Sequence, residues 1–414
     1  MDILLKNKEL KNNNKILFYT GNMFFNWNET YSKNNALGGS EKAIIYLSQK
    51  LKKNYDIYIS GDVEEETIDN ITYINKNNLQ NLLDNNSFNS VIVSRYICFL
   101  KYFKNIRCYN FFLYSHDVRG FISTFFQSDI QIFDEFKNQI DKIISLTDWH
   151  KETILKNYNL SNNNFISIIN NGINTKEFLY DTSKKIKNKF IWSSRIERGL
   201  DNLLNLWPSI IDKLPDASLD ICTYSEDGIE NYPHLLEIIQ SYDSINFIGK
   251  LQSKDLYKLM SVSEYWLYTT NFCETSCITA MEMLMSEVIC LYYPLAGLCY
   301  TLGDYGIKIN TGNEIDTILN LTPNQKEYIK KRGKEYAINC DWDLRSKDWI
   351  KIINHKSDNY SKYIISLTTI PSRINYIENT LNSLLEQTIK PEKIILNIPK
   401  IYNFRRSLQG KPVG

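Results

Sequence analysis

Short apolar runs that read as strands alternate with segments of helical spacing, and the pattern runs twice along the chain. Such alternation restricts the fold severely. Parallel strands need a crossover connection, usually a helix, so strand-helix repeats imply parallel sheets wrapped by helices on both faces. Lys15–Thr20 is the first apolar run and it ends at Gly21. Downstream, Gly38–Gly39–Ser40–Glu41 leads into Lys42–Leu51, whose apolar residues fall at helical spacing. Further strands are expected at Asp56–Ser60, Ser90–Ser94, Tyr109–Tyr114, Lys142–Leu146 and Phe165–Ile169. The lysine-rich stretch Lys184 to Lys189 reads as a linker, and the alternation then restarts.

In the second half, Phe190–Ser194, Ser218–Thr223, Ser244–Ile248, Glu264–Thr269 and Val288–Tyr292 read as strands. Asp201–Lys213 and Lys254–Ser261 read as helices, Glu274–Met285 as loop plus helix, and Thr322–His355 as largely helical. At 414 residues the chain exceeds one ordinary core. Two Rossmann-like α/β domains are therefore expected, at 1–183 and 184–340, with 341–360 a helix packing back towards the first. Tandem domains of this kind place a ligand crevice between them, at the carboxyl ends of the strands. Residues 361–414 read as one further βαβ fragment, the truncated start of another domain. Its strands are Tyr363–Thr369 and Lys393–Pro399 and its helix is Ile374–Glu386; alone it is too small to bury a core.

Composition removes several classes of function. A formal charge of +1 argues against a dedicated nucleic-acid binder. The eight cysteines form no CxxC pair, Cys273 and Cys277 being the nearest, and the four histidines offer no zinc spacing. Reduced thiols in a cytoplasmic protein are expected. Met1 to Asn14 is polar, unlike a signal peptide, and the most apolar stretch, Ala280–Tyr300, carries Glu282, Glu287 and Pro294. It cannot be a membrane span, and peripheral membrane contact stays open.

Chemistry concentrates in Phe272–Glu282. Glu274 ends a strand-loop, and Thr275 or Ser276 can cap the helix that follows. Glu282 is expected about two turns into that helix, among Ala280, Met281, Met283 and Leu284. A carboxylate in such company needs a partner, because an unpaired buried charge is costly. Spacing alone means little, since two solvated helix carboxylates would give the same Glu-x7-Glu pattern.

With its neighbours the stretch resembles the EX7E signature of retaining glycosyltransferases of family 4. Gly38–Gly39–Ser40–Glu41 resembles that family's glycine loop, and Ser115–His116–Asp117 its central His-Asp element. Asn170–Asn174 with Phe178 resembles the segment before the interdomain linker. Ser194–Leu200 resembles the diphosphate-binding R-x-x-K-G, and Asn246–Gly249 a later strand. Six blocks in the right order span roughly residues 15 to 355. The resemblance implies a GT-B fold, with 1–183 on the acceptor side and 184–340 holding the donor. It also implies metal-independent transfer of a sugar, with retention, from a UDP- or GDP-sugar to a glycan, lipid-linked or protein hydroxyl, with no cofactor.

Residue by residue, the resemblance implies that Arg195 and Arg198 hold the diphosphate, with Arg198 where the family more often has Lys. Arg grips a phosphate as a planar fork rather than a point charge. Gly38 and Gly39 let backbone approach the donor, and His116 lies by the reacting sugar. Glu274 meets the sugar, Glu282 the ribose, and Thr275, Ser276, Cys277 and Ile278 complete the donor loop. Ser276 stands where Phe is usual and Glu287 where Gly is usual, which bears on sugar choice and on the helix end. These departures keep open a second reading, an inactive sugar-nucleotide or glycan-binding module supporting an adjacent transferase domain.

Other signals are weaker. Asp341–Trp342–Asp343 matches a metal-binding DxD but is expected outside the crevice. No G-x-G-x-x-G follows Lys15–Thr20, against a dinucleotide dehydrogenase. Neither the acid pair of an epimerase nor the pyridoxal lysine of a phosphorylase is recognisable. Ile365–Arg373 resembles the opening of a GT-A-type glycosyltransferase domain.

Overall fold

The computed structural model describes residues 4–161, 163–223, 228–354, 364–385 and 393–398. The chain forms two compact units, Met1–Asn354 and His355–Gly414.

The first unit holds two sheets. Strands β1 (Leu4–Lys6), β2 (Lys15–Gly21), β3 (Asp56–Gly61), β4 (Glu66–Ile68), β5 (Ile71–Asn75), β6 (Phe88–Ser94), β7 (Ile106–Tyr114), β8 (Lys142–Ser145) and β9 (Ile166–Ile168) make the first. Its order is β4-β5-β3-β2-β6-β7-β8-β9, with β1 paired to β7. Every pairing is parallel except β4 with β5. Every residue of β6 is buried, as expected of a central strand covered by helices on both faces. The strands the sequence did not announce, β1, β4 and β5, are short and flanked by Asn and charged residues, which mask the apolar signal.

The second sheet comprises β10 (Lys189–Ser193), β11 (Ser218–Cys222), β12 (Ile245–Gly249), β13 (Tyr265–Tyr268), β14 (Ile289–Tyr292) and β15 (Ile307–Lys308). All neighbours are parallel, in the order β12-β11-β10-β13-β14-β15. That order reverses between β10 and β13, and the first sheet reverses in the same way between β2 and β6. Ligands of doubly wound sheets bind outside the carboxyl ends of the strands at such reversals. The two sheets with their helices are the two Rossmann-like halves of a GT-B fold.

The stretch Thr322–His355, read as largely helical, holds two helices. Pro323–Ile338 starts on a Thr322–Gln325 capping box with Pro at its first turn. It stops at Asn339, and Trp342–Asn354 follows. Between them the chain pairs with Ile173, whose N–H donates to the Cys340 carbonyl at 2.9 Å and whose carbonyl accepts from Trp342 at 3.1 Å. Trp342, Trp349 and Ile353 then bury themselves in the core of the first sheet. Trp349 lies 4.9 Å from the Tyr114 ring, and Asn110 donates to the Ile353 carbonyl at 3.0 Å. The Asp341–Trp342–Asp343 sequence is stitching. Asp341 accepts from the Thr175 N–H at 3.0 Å and from its hydroxyl, and Asp343 pairs with Lys50 at 2.8 Å.

In the second unit, β16 (Ile364–Thr368) pairs in parallel with β17 (Lys393–Asn397). A 3-10 turn over Pro371–Tyr376 delays the helix, expected from Ile374, to Glu378–Leu385. The ends of the expected segments at Tyr363, Glu386 and Pro399, and all of 399–414, lie outside the described residues.

Replacing Trp349 by Ala removes a fully buried indole from the joint between the C-terminal helix and the first sheet. Urea unfolding is expected to show a loss of about 3–5 kcal/mol. A loss under about 1 kcal/mol would mean the returning helix is not part of that core.

Candidate functional site

Between the two sheets opens a cleft of about 720 Å³. Loops from both reversal points line it. Asn22–Phe25 follow β2 and Arg95 follows β6, while Arg195 follows β10 and Glu274–Thr279 follow β13. All eleven residues singled out from the sequence line this one cleft: Gly38, Gly39, His116, Arg195, Arg198, Glu274, Thr275, Ser276, Cys277, Ile278 and Glu282.

The loop after β10 turns on Gly199, whose φ of 109° lies in the left-handed region. A Cβ there would also stand 2.6 Å from the Thr269 carbonyl, so the position admits only glycine. This tight turn leaves Arg198 at the cleft wall. Its guanidinium donates to Glu274 Oε1 at 3.0 Å and lies 4.1 Å from the centroid of the Phe272 ring. Tyr268, the last residue of β13, donates to the same Glu274 oxygen at 2.9 Å. Glu274 thus answers its burial with a cation and a hydroxyl. Arg195 pairs with Glu197 at 2.5 Å and keeps part of its surface open to the cleft. From below, Gly297 donates to the Glu274 carbonyl at 2.8 Å; a Cβ on Gly297 would sit 2.4 Å from the Thr275 carbonyl.

Two details of the helix Ile278–Met285 differ from expectation. It starts at Ile278 on Cys277, with no side-chain cap, so neither Thr275 nor Ser276 caps it. The Thr275 hydroxyl is drawn instead to the other lobe, where it donates to the His116 carbonyl at 2.9 Å. The Thr147 hydroxyl returns the contact, donating to the Thr275 carbonyl at 3.0 Å. The helix therefore begins late, and Glu282 sits one turn in rather than two. At the helix end stands Glu287. It takes a left-handed φ of 56°, as Gly would, held by Thr182 and Lys334.

Glu282 accepts from the Tyr257 hydroxyl at 2.8 Å. Burial raises its pKa above the usual carboxylate range, opposed by the nearby Lys42 charge and by the Tyr257 hydrogen bond. Lys42, from the helix Gly39–Leu51, crosses to Ser253 of the second sheet's domain at 2.9 Å. The glycine loop meets the helix Ile278–Met285, since a Cβ on Gly39 would lie 3.4 Å from Ile278 Cδ1.

On the first sheet's side, Arg95 closes a network that the sequence did not reveal. Its backbone is left-handed (φ 65°), and its guanidinium grips Asp117 through two bonds of 2.8 and 3.0 Å, with Glu41 at 3.8 Å. Beside it, His116 packs on Tyr114, ring centroids 4.1 Å apart. Among the described residues its Nε2 has no hydrogen-bond partner. Burial, with the Arg95 and His150 charges, holds its pKa well below the usual histidine value, which favours the neutral ring. His150 is fully buried; its Nδ1 accepts from the Leu146 N–H at 3.2 Å and its Nε2 reaches the Asp117 carbonyl at 3.1 Å. Tyr257, Tyr268, Arg95, Lys42 and His150 carry no sequence signal of their own. Their roles come from where distant strands end.

Among the described residues, no group of three or more His, Cys, Asp or Glu is placed to hold a metal ion, and no helix is long and apolar enough to cross a membrane.

Neither a protein-family model nor a curated protein sequence matches the chain. Solved structures do. A glycosyltransferase from Rickettsia africae superposes with a TM-score of 0.60 at 15% identity, covering 83% of this chain and 98% of its own. HepE from Anabaena, in complex with UDP and glucose, gives 0.60 at 12%, covering 82% and 99%. The N-terminal domain of a Candida albicans trehalose-6-phosphate phosphatase gives 0.62 at 12%, covering 84% and 98%. At these identities the likeness establishes the GT-B fold. Function rests on the cleft, because one fold hosts many activities.

The buried His150 makes stability depend on pH. Its folded pKa of about 4 lies below the unfolded value near 6.5, chiefly because burial disfavours the cation. Its contribution is therefore complete above about pH 6.5 and is lost as pH falls towards 4. Chemical denaturation across that range is expected to show a falling stability whose slope is reduced in His150→Gln. An unchanged slope in that variant would contradict the assignment.

Proposed function

We propose that this chain transfers a sugar, with retention of configuration and without a metal, from a nucleotide diphosphate sugar to an acceptor hydroxyl. What carries the reading is the convergence, in one cleft, of two arginines, a helix start and two buried, partnered carboxylates. The UDP and glucose named for the HepE complex favour a UDP-sugar donor.

In this mechanism the diphosphate lies against Arg195, Arg198 and the first-turn amides of the helix Ile278–Met285. Arg198 is pre-oriented by Glu274 and by the Phe272 ring, so no reorganisation is needed as charge develops. Glu282 takes the ribose diol, with Lys42 and the Tyr257 hydroxyl favouring its carboxylate form against the burial that raises its pKa. Glu274 keeps one oxygen for a sugar hydroxyl, its other being engaged by Arg198 and Tyr268. The acceptor enters beside His116, whose neutral Nε2 accepts or donates to a sugar hydroxyl. Attack comes from the face the diphosphate leaves. The acceptor oxygen–carbon bond forms as the carbon–phosphate oxygen bond breaks, and a diphosphate oxygen takes the acceptor proton.

Transfer or hydrolysis of UDP-sugars tests this. Arg195→Ala and Arg198→Ala are each expected to lower kcat about 10²–10³-fold, in the range lost with one preorganised charge-stabilising donor. Glu282→Ala is expected to weaken donor binding about 10–100-fold, the cost of one hydrogen-bonded charged group. Nucleotide binding with no turnover from any UDP- or GDP-sugar would instead favour the inactive binding module.

A further inference from the structure

Beside the donor cleft lies a second cavity of about 350 Å³, at the lower end of sizes that hold small ligands. Its wall comes from both halves of the fold and from the segment joining them. The helix Gly39–Leu51 supplies Tyr46 and Gln49, the connection supplies Lys176, Glu177, Leu179 and Tyr180, and the helix Ser253–Val262 supplies Lys254 and Tyr257.

The chemistry of the wall is mixed in a particular way. Four lysines, Lys33, Lys42, Lys176 and Lys254, stand against two carboxylates, Glu29 and Glu177. Lys33 is paired with Glu29 at 2.9 Å. Lys176 is 77% exposed and reaches Asp343 only at 3.9 Å, while Lys254 is exposed at the rim. Cationic charge in excess therefore stands at the mouth. Further in, Tyr46 donates to both oxygens of Glu177, at 2.9 and 3.0 Å, and Asn174 adds a bond of 2.8 Å. This carboxylate is held in place, and Ser32 and Gln49 line the same space. Tyr180 and Leu179, the latter 83% exposed, add flat apolar surface. A wholly apolar ligand would strip water from the exposed lysines of the wall without replacing it, and a bare anion would leave the floor unused. Carboxylate, hydroxyl and amide suit a polyol, the apolar surface suits the C–H face of a ring, and the lysines suit a phosphate.

We infer that this cavity binds a phosphorylated monosaccharide and that its occupancy is coupled to the donor cleft. Two residues make the connection. Tyr257 lines the cavity while its hydroxyl holds Glu282 at 2.8 Å, and Lys42 lines both spaces while bonded to Ser253. A ligand touching both halves favours the apposed arrangement in which Thr275 meets His116. Donor and effector then raise each other's affinity by the same factor. This coupling rests on Glu282 meeting the donor; binding in the cavity does not.

Calorimetric titration of the full chain with hexose phosphates, the free hexose and inorganic phosphate tests the inference. A hexose phosphate is expected to bind at least tenfold more tightly than either fragment. Binding is expected to fall at least tenfold in Lys176→Ala/Lys254→Ala, to persist in Arg195→Ala, and to tighten UDP binding severalfold. Inorganic phosphate binding as well as the hexose phosphate would overturn the site. So would loss of binding in Arg195→Ala with retention in the lysine double variant, which would put the ligand in the donor cleft. Site binding without any change in UDP affinity would overturn the coupling. Failure of UDP to bind at all would refute the donor reading while the lysine variant still reports on the cavity.

Discussion

A carboxylate removed from water must be paired or protonated, and this chain buries two of them at the edge of one cleft. Glu274 is 7% exposed and is met by Arg198 and Tyr268; Glu282 is equally buried and is met by Tyr257, with Lys42 nearby. Those partners come from four separate parts of the chain: the turn after β10, the end of β13, the helix Ser253–Val262 and the helix Gly39–Leu51. Three of these partners belong to the second sheet's half, and the first half adds Lys42. The side chains of the site are also oriented in advance, as the proposed stabilisation of a departing diphosphate requires.

Several contacts hold the halves together. Thr275 and Thr147 exchange hydrogen bonds across the cleft with His116 and Thr275, and Lys42 reaches Ser253. The chain itself returns, through Ile173 and Asp341, to place Trp349 against Tyr114 beneath the His116 loop. Each bond across the cleft is small. Because residues of both lobes line the cleft and the neighbouring cavity, these contacts are the physical basis of the proposed coupling.

Much of this was readable from residues alone. Long apolar runs buried on both faces, such as β2 and β6, announce themselves, and so does the order strand, glycine turn, helix at Gly199. Short strands such as β4 and β15, three and two residues long, leave no periodicity to read. Within Thr322–His355 the break follows from Cys340 and Trp342 pairing with Ile173, a tertiary contact that leaves no local periodicity; in the same joint Thr175 and Asp341 stand 166 positions apart. The cap expected of Thr275 failed for the same reason, since a partner on another domain outcompeted a local one. In the site, the residues that meet the donor in the proposed mechanism were legible because they share short motifs. Their supports, Arg95, Tyr257 and Tyr268, were not, because what selects them is the end of another strand or the face of another helix.

The central claim is that the cleft between the two sheets receives a nucleotide diphosphate sugar through Arg195, Arg198 and Glu282. A crystal structure of the chain soaked with a UDP-sugar tests it most directly. The diphosphate is expected against Arg195 and Arg198, with the ribose diol within hydrogen-bonding distance of Glu282. A nucleotide bound elsewhere, with Glu282 still turned only to Tyr257, would contradict it.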